Sequence, residues 1–243
     1  MDTDNKKVWG VIPARGGSKS IPYKNIALLK GRPLIDYVYF AARSSCIEKV
    51  FCSTDDDKIA RHCKSLNLDV HQRPKTLSGD VTPIIDVLVY ILEDFKRKIG
   101  YIPFAIALFQ PTSPFVLPEH VDRCARALLN DEQANSAQTI TSFPHNFHAL
   151  NQRVIRNGYV DFLFPEERKI HYNKQKKPKH YIFGNLILTK CEAILKKKNV
   201  FAPPCVPVEI PYPNAIDVDG PEDFELAELY LSSGKVFLPH LQV

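Results

Sequence analysis

Residues 12–25 read I-P-A-R-G-G-S-K-S-I-P-Y-K-N and follow directly on the short apolar run at 8–11. Gly16 and Gly17 let a backbone turn sharply and bring its N–H groups close to a ligand. Arg15, Ser18, Lys19, Lys24 and Asn25 gather cations and polar groups around that turn, a combination suited to a polyphosphate. Two familiar phosphate motifs are excluded by spacing. The dinucleotide fingerprint needs three glycines as G-x-G-x-x-G, and a P-loop needs a glycine immediately before its lysine, where Ser18 stands here. A second group with chemical potential is Asp217-Val218-Asp219. On an extended backbone alternate side chains share a face, so the two carboxylates can point together and offer hard oxygen donors to Mg²⁺ or Mn²⁺.

Further polar corners punctuate the chain. Gln110, Thr112 and Ser113 end an apolar run between Pro111 and Pro114, which stiffen the turn and suit it to a polyol. Arg73, before Pro74, together with Asp80 and Thr82, can frame a nucleobase or phosphate. The eight histidines form no H-E-x-x-H pattern, and no G-x-S-x-G occurs, which disfavours zinc-protease and serine-hydrolase readings.

These groups need elements to hold them. Helical spacing occurs at 33–43, from 58 to 66 on one face (Ile59, Ala60, Cys63, Leu66), and at 84–95, with a further helix from Pro118. Short β-like runs lie at 50–53 and 70–73, and 104–109 is apolar on both faces, as in a buried parallel strand. Thr54 or Asp55 is expected to cap the helix after the second strand. Strand–helix alternation to residue 130 predicts an α/β, Rossmann-like, open and mostly parallel sheet with helices on both faces. Runs at 136–143 and 181–188 are read as strands, the proline-rich passage 203–213 as extended chain, 215–218 as a last strand, and Pro221 as the start of a C-terminal helix. Residues 140–183 are expected to form a projecting β-rich dimerisation lobe within a single domain spanning 1–243. In such sheets ligands bind beyond the carboxyl ends of the strands, which would collect the polar corners into one place.

At 243 residues and 44% hydrophobic content the chain can bury a sizeable core. No apolar run of membrane-spanning length and no secretory leader is read from it, and the six cysteines are scattered without a C-x-x-C pair. A cytoplasmic protein with reduced thiols is expected. The net charge of +5 is modest, but Arg168, Lys169, Lys174, Lys176, Lys177 and Lys179 cluster. Nucleic-acid binding is one reading of such a cluster. It lacks interleaved aromatics on a recognisable motif; a solvated hairpin face and a cationic arm toward a small anionic substrate are the alternatives kept open.

Taken in order, Ala14-Arg15-Gly16-Gly17-Ser18-Lys19, Ile21-Pro22, Lys24-Asn25, Ser53-Thr54-Asp55, Arg73-Pro74, Gln110-Pro111-Thr112-Ser113-Pro114 and Ile216-Asp217-Val218-Asp219 resemble the motif series of the N-acylneuraminate (CMP-sialic acid) cytidylyltransferases, over nearly the whole chain. The resemblance implies transfer of CMP from CTP to the anomeric hydroxyl of a nonulosonic, sialic-type 2-keto acid, with release of pyrophosphate. It implies that Arg15, Ser18 and Lys24 hold the triphosphate with Lys19 close by, and that Asn25 and Arg73 orient the cytidine. Gln110 would contact the sugar, with Asn185 and Lys174 nearby, and Asp217 and Asp219 would hold Mg²⁺. A homodimer with CTP and an acidic sugar as its ligands is implied, without nucleic acid or membrane.

The sequence departs from that family after the Q-P-T-S-P segment and in the lobe. The Leu-Arg that commonly follows the Q-P-T-S-P segment is Phe115-Val116 here. The R-Q-x-L-P pattern reads Lys174-Gln175-Lys176-Lys177-Pro178, and a later arginine is replaced at Phe183. A carboxylate is gripped best by a bidentate guanidinium, whereas lysine offers a point charge. The acceptor is therefore open to a modified, legionaminic-type sugar acid, a phosphonate or another small anion. A non-catalytic CTP-binding protein is the reading from a different class.

Overall fold

The computed structural model describes residues 6–18 and 20–241. Lys19 lies outside the described residues. The chain opens with strand β1 (Val8–Pro13), whose side chains alternate between two cores. Val8 and Ile12 pack into one apolar cluster, and Trp9 and Val11 into the other, the period-2 signature of a strand buried on both faces. A small ribbon of β2 (Leu28–Leu29) and β3 (Arg32–Pro33) precedes helix α1 (Leu34–Arg43). Then β4 (Lys49–Thr54), α2 (Asp57–Ser65), β5 (Asp69–Gln72), α3 (Ile84–Ile99), β6 (Ala105–Leu108), α4 (Pro118–Asn130) and β7 (Ser136–Thr141) alternate as predicted.

The lobe supplies β8 (Arg153–Arg156), β9 (Tyr159–Phe162) and the short α5 (Pro165–Ile170). The chain returns through β10 (Ile182–Lys190), α6 (Cys191–Lys197), β11 (Cys205–Glu209) and α7 (Pro221–Ser232). Seven strands form one sheet in the order β11-β7-β10-β6-β1-β4-β5. All neighbouring pairs are parallel except those of β10, which runs antiparallel to both β6 and β7. Helices α1, α2 and α4 cover one face through Ile35, Ile59 and Val121, while α3 and α6 cover the other through Leu88 and Ile194. A third apolar cluster joins Phe115, Ile216, Val218 and Ala227, and so seats α7 and the chain before it against α1.

Three expectations are corrected. Residues 215–218 are not a strand. A 3-10 turn ends at Ala215, and the extended chain after it makes one bond to a loop, from Val218 N to the Thr112 carbonyl at 2.7 Å. Among the described residues no strand pairs with it, so a run with β-like composition has no ladder to join. The proline-rich passage, by contrast, contains β11, which pairs with β7 at the sheet margin, the place where a strand tolerates proline such as Pro207. The cap of α2 is Asp56, whose carboxylate accepts from Lys58 N and Ile59 N at 2.8 and 2.9 Å, not Thr54 or Asp55.

The lobe is less β-rich than expected. One hairpin turns at Asn157-Gly158, both with positive φ (52° and 82°), the two-residue turn chemistry that favours Asn-Gly. The rest is α5 and 3-10 turns, with α5 packed on β9 and on the turn at Ala149–Asn151. Within β10, Gly184 allows Thr139 Oγ1 to approach where a Cβ would stand 2.5 Å from it. That close contact accompanies the register shift between Phe183 and Ile187.

Candidate active site

Strand β1 lies between β4 and β6, so the chain winds outward in opposite directions from this point, and a crevice opens at the carboxyl ends of the strands. A cavity of about 310 Å³ occupies it. Pro13 closes β1 there, Arg73 follows β5, and Gln110 and Thr112 follow β6. Arg15, Ser18, Lys24 and Asn25 come from the opening loop, and Asp80 and Thr82 from the segment before α3. Nine of the residues read from the sequence thus line one cavity.

Their positions are fixed by hydrogen bonds. Asn25 Nδ2 donates to the Arg15 carbonyl at 2.9 Å and closes the loop on itself. Arg73, only 5% exposed, donates through Nη2 to the Ser53 carbonyl at 2.8 Å and through Nε to Ser53 Oγ at 3.3 Å. Burial lowers the Arg73 pKa, and the nearby Asp55 carboxylate opposes that shift. Arg15 Nη1 pairs with Asp80 Oδ1 at 2.7 Å, linking two walls of the cavity.

The glycine pair divides its labour. A Cβ on Gly16 would meet Asp56 Oδ2 at 2.6 Å, so the loop passes α2 too closely for any side chain, whereas Gly17 faces open space. The Gly16 N–H donates to Asp55 Oδ1 at 3.2 Å; it fastens the loop and is not free for a ligand. Among the described residues of the loop the left-handed one is Tyr23 (φ 53°), not a glycine. Ala14 is fully buried beneath the loop, and Ser113 is buried under the turn after β6.

The carboxylate pair meets the loop from the far end of the chain. Lys24 Nζ lies 2.8 Å from Asp219 Oδ1 across 195 positions of sequence. Residues 216–219 alternate buried and exposed, with Val218 inside and Asp217 and Asp219 outside, so the two carboxylates share the open side although no strand forms. Protein packed around Asp217 raises its carboxyl above the usual value; a Thr112 hydrogen bond opposes this, and the charge of Asp219 adds to it. Asp223, at the start of α7, accepts from Asp219 N and Gly220 N at 2.8 Å and holds the segment. Among the described residues no group of three or more His, Cys, Asp or Glu side chains is placed to hold a metal. Two mutually repelling carboxylates fit a hard divalent cation whose other ligands are water and substrate phosphate oxygens.

Two expected residues lie elsewhere. Asn185 is 1% exposed and sits behind the cavity. Its Nδ2 donates to the carbonyls of Asn214 (2.8 Å) and Phe115 (3.3 Å), and its Oδ1 accepts from Thr139 Oγ1 at 3.2 Å. This amide ties the turn after β6 to the segment leading to Asp217, so its place is structural support and not substrate contact. Lys174 belongs to the lobe, in the 3-10 turn Lys174–Lys176. Sequence reasoning missed the apolar wall of Leu77, Ile84 and Val87. Ile84 and Val87 had the helical spacing of a core stripe, and only the open carboxyl edge turns their end of α3 toward a ligand.

Known proteins resemble this chain in sequence and in fold. A family model described as cytidylyltransferase matches residues 9–202. A CMP-N,N'-diacetyllegionaminic acid synthase of Legionella pneumophila is 29% identical over 226 residues, covering 91% of this chain and 95% of that protein. An N-acylneuraminate cytidylyltransferase of Escherichia coli is 26% identical over 91% of this chain, but the match spans about half (51%) of that longer protein. Among solved structures, a CMP:2-keto-3-deoxy-manno-octonic acid synthetase complexed with CTP superposes with a TM-score of 0.69 at 17% identity, covering 94% of this chain and 99% of that one. A 4-diphosphocytidyl-2C-methyl-D-erythritol synthase of Anaerococcus prevotii gives 0.62 at 15% identity, with 94% and 97% covered. Those likenesses show the sheet architecture, and the model match shows the lineage: this chain belongs to the cytidylyltransferase family.

Proposed function

We propose that the protein transfers CMP from CTP to the anomeric hydroxyl of an acidic 2-keto sugar of the nonulosonic type, releasing pyrophosphate. The observation that carries this reading is the contact of Asp219 with Lys24, a residue that lines the cavity together with Arg15, Ser18, Asn25 and Arg73. It brings a cationic loop and a carboxylate pair, the two halves of a nucleotide-triphosphate site, to one point. The relatives named for legionaminic and N-acylneuraminic acids support the acceptor class.

In this reading Arg15, Ser18 and Lys24 hold the triphosphate, while Arg73 and Asn25 flank the cytidine beside the apolar wall of Leu77 and Val87. Gln110 and Thr112, on a rigid turn, address the sugar. The hydroxyl oxygen attacks the α-phosphorus; the bond to the bridging oxygen breaks, and pyrophosphate leaves. The hydroxyl proton must pass to a base, for which a carboxylate of the Asp217/Asp219 pair, or a water beside it, is the nearest candidate. Charge develops on the equatorial and leaving oxygens, and cations fixed before the reaction stabilise it without reorganisation. Asp217 and Asp219 would hold Mg²⁺, which when bound supplies positive charge toward the phosphate oxygens.

The lobe has a reading of its own. Ile155, Tyr159 and Val160 on the hairpin are each more than 70% exposed, an apolar patch of the kind that marks an interface. A homodimer in which the hairpin packs against a second copy accounts for it. No helix among the described residues is long and apolar enough to cross a membrane. The cysteines Cys46, Cys52, Cys63, Cys124, Cys191 and Cys205 are all free thiols, which supports a cytoplasmic setting.

The deciding measurement is pyrophosphate release from CTP across a panel of 2-keto sugar acids and phosphonates. Release with a nonulosonic acid is expected; no release with any sugar acid would overturn the reading.

A further inference from the structure

Three cations of the lobe converge on one neutral residue, Asn151, two at its side chain and one at its backbone carbonyl. Asn151 Oδ1 accepts from Arg168 Nη1 at 2.9 Å and also from Lys177 Nζ, while the Asn151 carbonyl accepts from Arg153 Nη1. The guanidiniums of Arg153 and Arg168 each lie 4.5 Å from the centroid of the same ring, Phe162. Lys177 Nζ is 3.5 Å from His145 Nε2. None of these residues lines the cavity at the sheet edge.

The lobe does not balance this charge. Residues 151–180 carry eight Lys and Arg against three Asp and Glu, an excess as large as the +5 of the whole chain. Asp161 and Glu166 pair with Arg156 and Lys169 instead. Among the described residues no carboxylate forms an ion pair with Arg153, Arg168 or Lys177. The Lys177 ammonium is held below its ordinary pKa by lost solvation, then by Arg168 and Arg153.

We propose that Arg153, Arg168 and Lys177, gathered around Asn151 and Phe162, form a binding site for an oxyanion, a carboxylate or a phosphate group. Neutral amide oxygens align three positive groups but cannot cancel their repulsion, and an incoming anion can. Two guanidiniums fixed against a ring lose little freedom on binding and offer planar pairs of N–H donors, while Lys177 adds a point charge. The anion has two sources. One is the carboxylate of the acidic sugar, in which case the site rests on the proposed CMP transfer and replaces the grip expected from arginines at other lobe positions. The other is phosphate, free or carried on another molecule.

The test compares the intact protein with the double variant Arg153→Gln/Arg168→Gln and with Lys177→Gln. Thermal stability is followed with inorganic phosphate against chloride at equal ionic strength, in excess CTP so that the sheet-edge cavity is filled. Phosphate is expected to raise the Tm of the wild type, and the variants are expected to lose that rise. The KM for a 2-keto sugar acid and the KM for CTP are measured in parallel. A rise of about tenfold or more in the acid's KM, at unchanged CTP KM, assigns the site to the acceptor carboxylate. The methyl ester of that acid should then be as poor for the wild type as the acid is for the variant. Loss of the phosphate response with the acid's KM unchanged assigns it to phosphate. Wild-type responses in both measurements would overturn the site. The phosphate measurement needs no turnover, so a protein inactive with every acceptor overturns the CMP-transfer reading and leaves this one standing or falling on its own. If the double variant does not fold, Lys177→Gln alone carries both readouts.

Discussion

The sheet-edge cavity and the lobe use the same kinds of residue in opposite ways. At the cavity Lys24, Asn25 and Arg73 are all less than 10% exposed, and each is fixed by the loop, strand or carboxylate it touches. In the lobe Ile155 and Tyr159 are 75% and 79% exposed, and the cations share a neutral acceptor. Rigid, buried donors suit chemistry in which a triphosphate must be held in one geometry; an exposed cationic surface suits choice among ligands or partners. On the proposed function, the contrast assigns nucleotide handling to the sheet and selectivity to an element appended to it.

The largest expected break in that contrast is at the carboxylate pair. Asp219→Ala is expected to lower kcat about 10²–10³-fold, as removal of a group that organises transition-state charge does; a wild-type rate across a Mg²⁺ titration would remove Asp219 from the metal assignment. The next effect is on stability. His120 is buried, its Nδ1 accepts from Leu117 N at 3.2 Å, and its pKa is pushed down to about 4, first by burial and then by Arg123. The folded state therefore resists a proton that the unfolded chain takes up below the ordinary histidine value of about 6.5. Its stabilising contribution is present above that value and is lost as pH falls toward 4, a span worth about 3 kcal/mol. Denaturant midpoints should decline over this window, and less steeply in His120→Gln.

Asn185→Leu takes the buried donor from the Asn214 carbonyl and leaves the Phe115 carbonyl with only Asn214 Nδ2, and should cost about 1–3 kcal/mol in urea unfolding; an unchanged midpoint would show that the amide is not the brace described. Asp217→Asn is a smaller effect of opposite sign. With the Asp217 pKa raised in the fold, its ionised form is the disfavoured one, so the stability tied to this group is full at low pH and lost as pH rises through the folded pKa. In EDTA the Asn variant should melt above the wild type at pH 7, with the gain vanishing in acid; a lower Tm at pH 7 would contradict the assignment. Last, Ile155→Ser/Val160→Ser on the exposed hairpin should change monomer stability by about 0.5 kcal/mol or less. It should also shift the molecular mass in solution if the hairpin packs on a second copy, and an unshifted mass would return this patch to solvent.

Much of the fold was legible because its elements are periodic. The stripe of Val87, Leu88, Ile91 and Leu92 on α3 and the continuous apolar run of β6 each report their own burial. The segment at 215–218 misled for a physical reason: its apolar, β-branched composition fits an extended backbone, but whether an extended chain becomes a strand depends on a neighbour it cannot choose. Pro207 hid β11 in the same way, since proline excludes a central strand but not a sheet margin. The polar corners were legible as candidates because loops at strand ends gather residues that no core requires. Asn185 was read as a substrate contact because an amide that braces two loops from behind and one that touches a ligand have the same sequence.

Residue types and their local spacing determined, without any structure, that a cationic glycine loop and a distant D-x-D exist and that an α/β sheet would carry them. Tertiary structure alone decided that Lys24 meets Asp219, that Gly16 is forced by Asp56 while Gly17 is not, and that Arg153, Arg168 and Lys177 crowd one neutral residue. The reason is range. Propensity and periodicity act over a few residues, whereas contacts across 195 positions are set by strand order and by which ends of the strands face the same way.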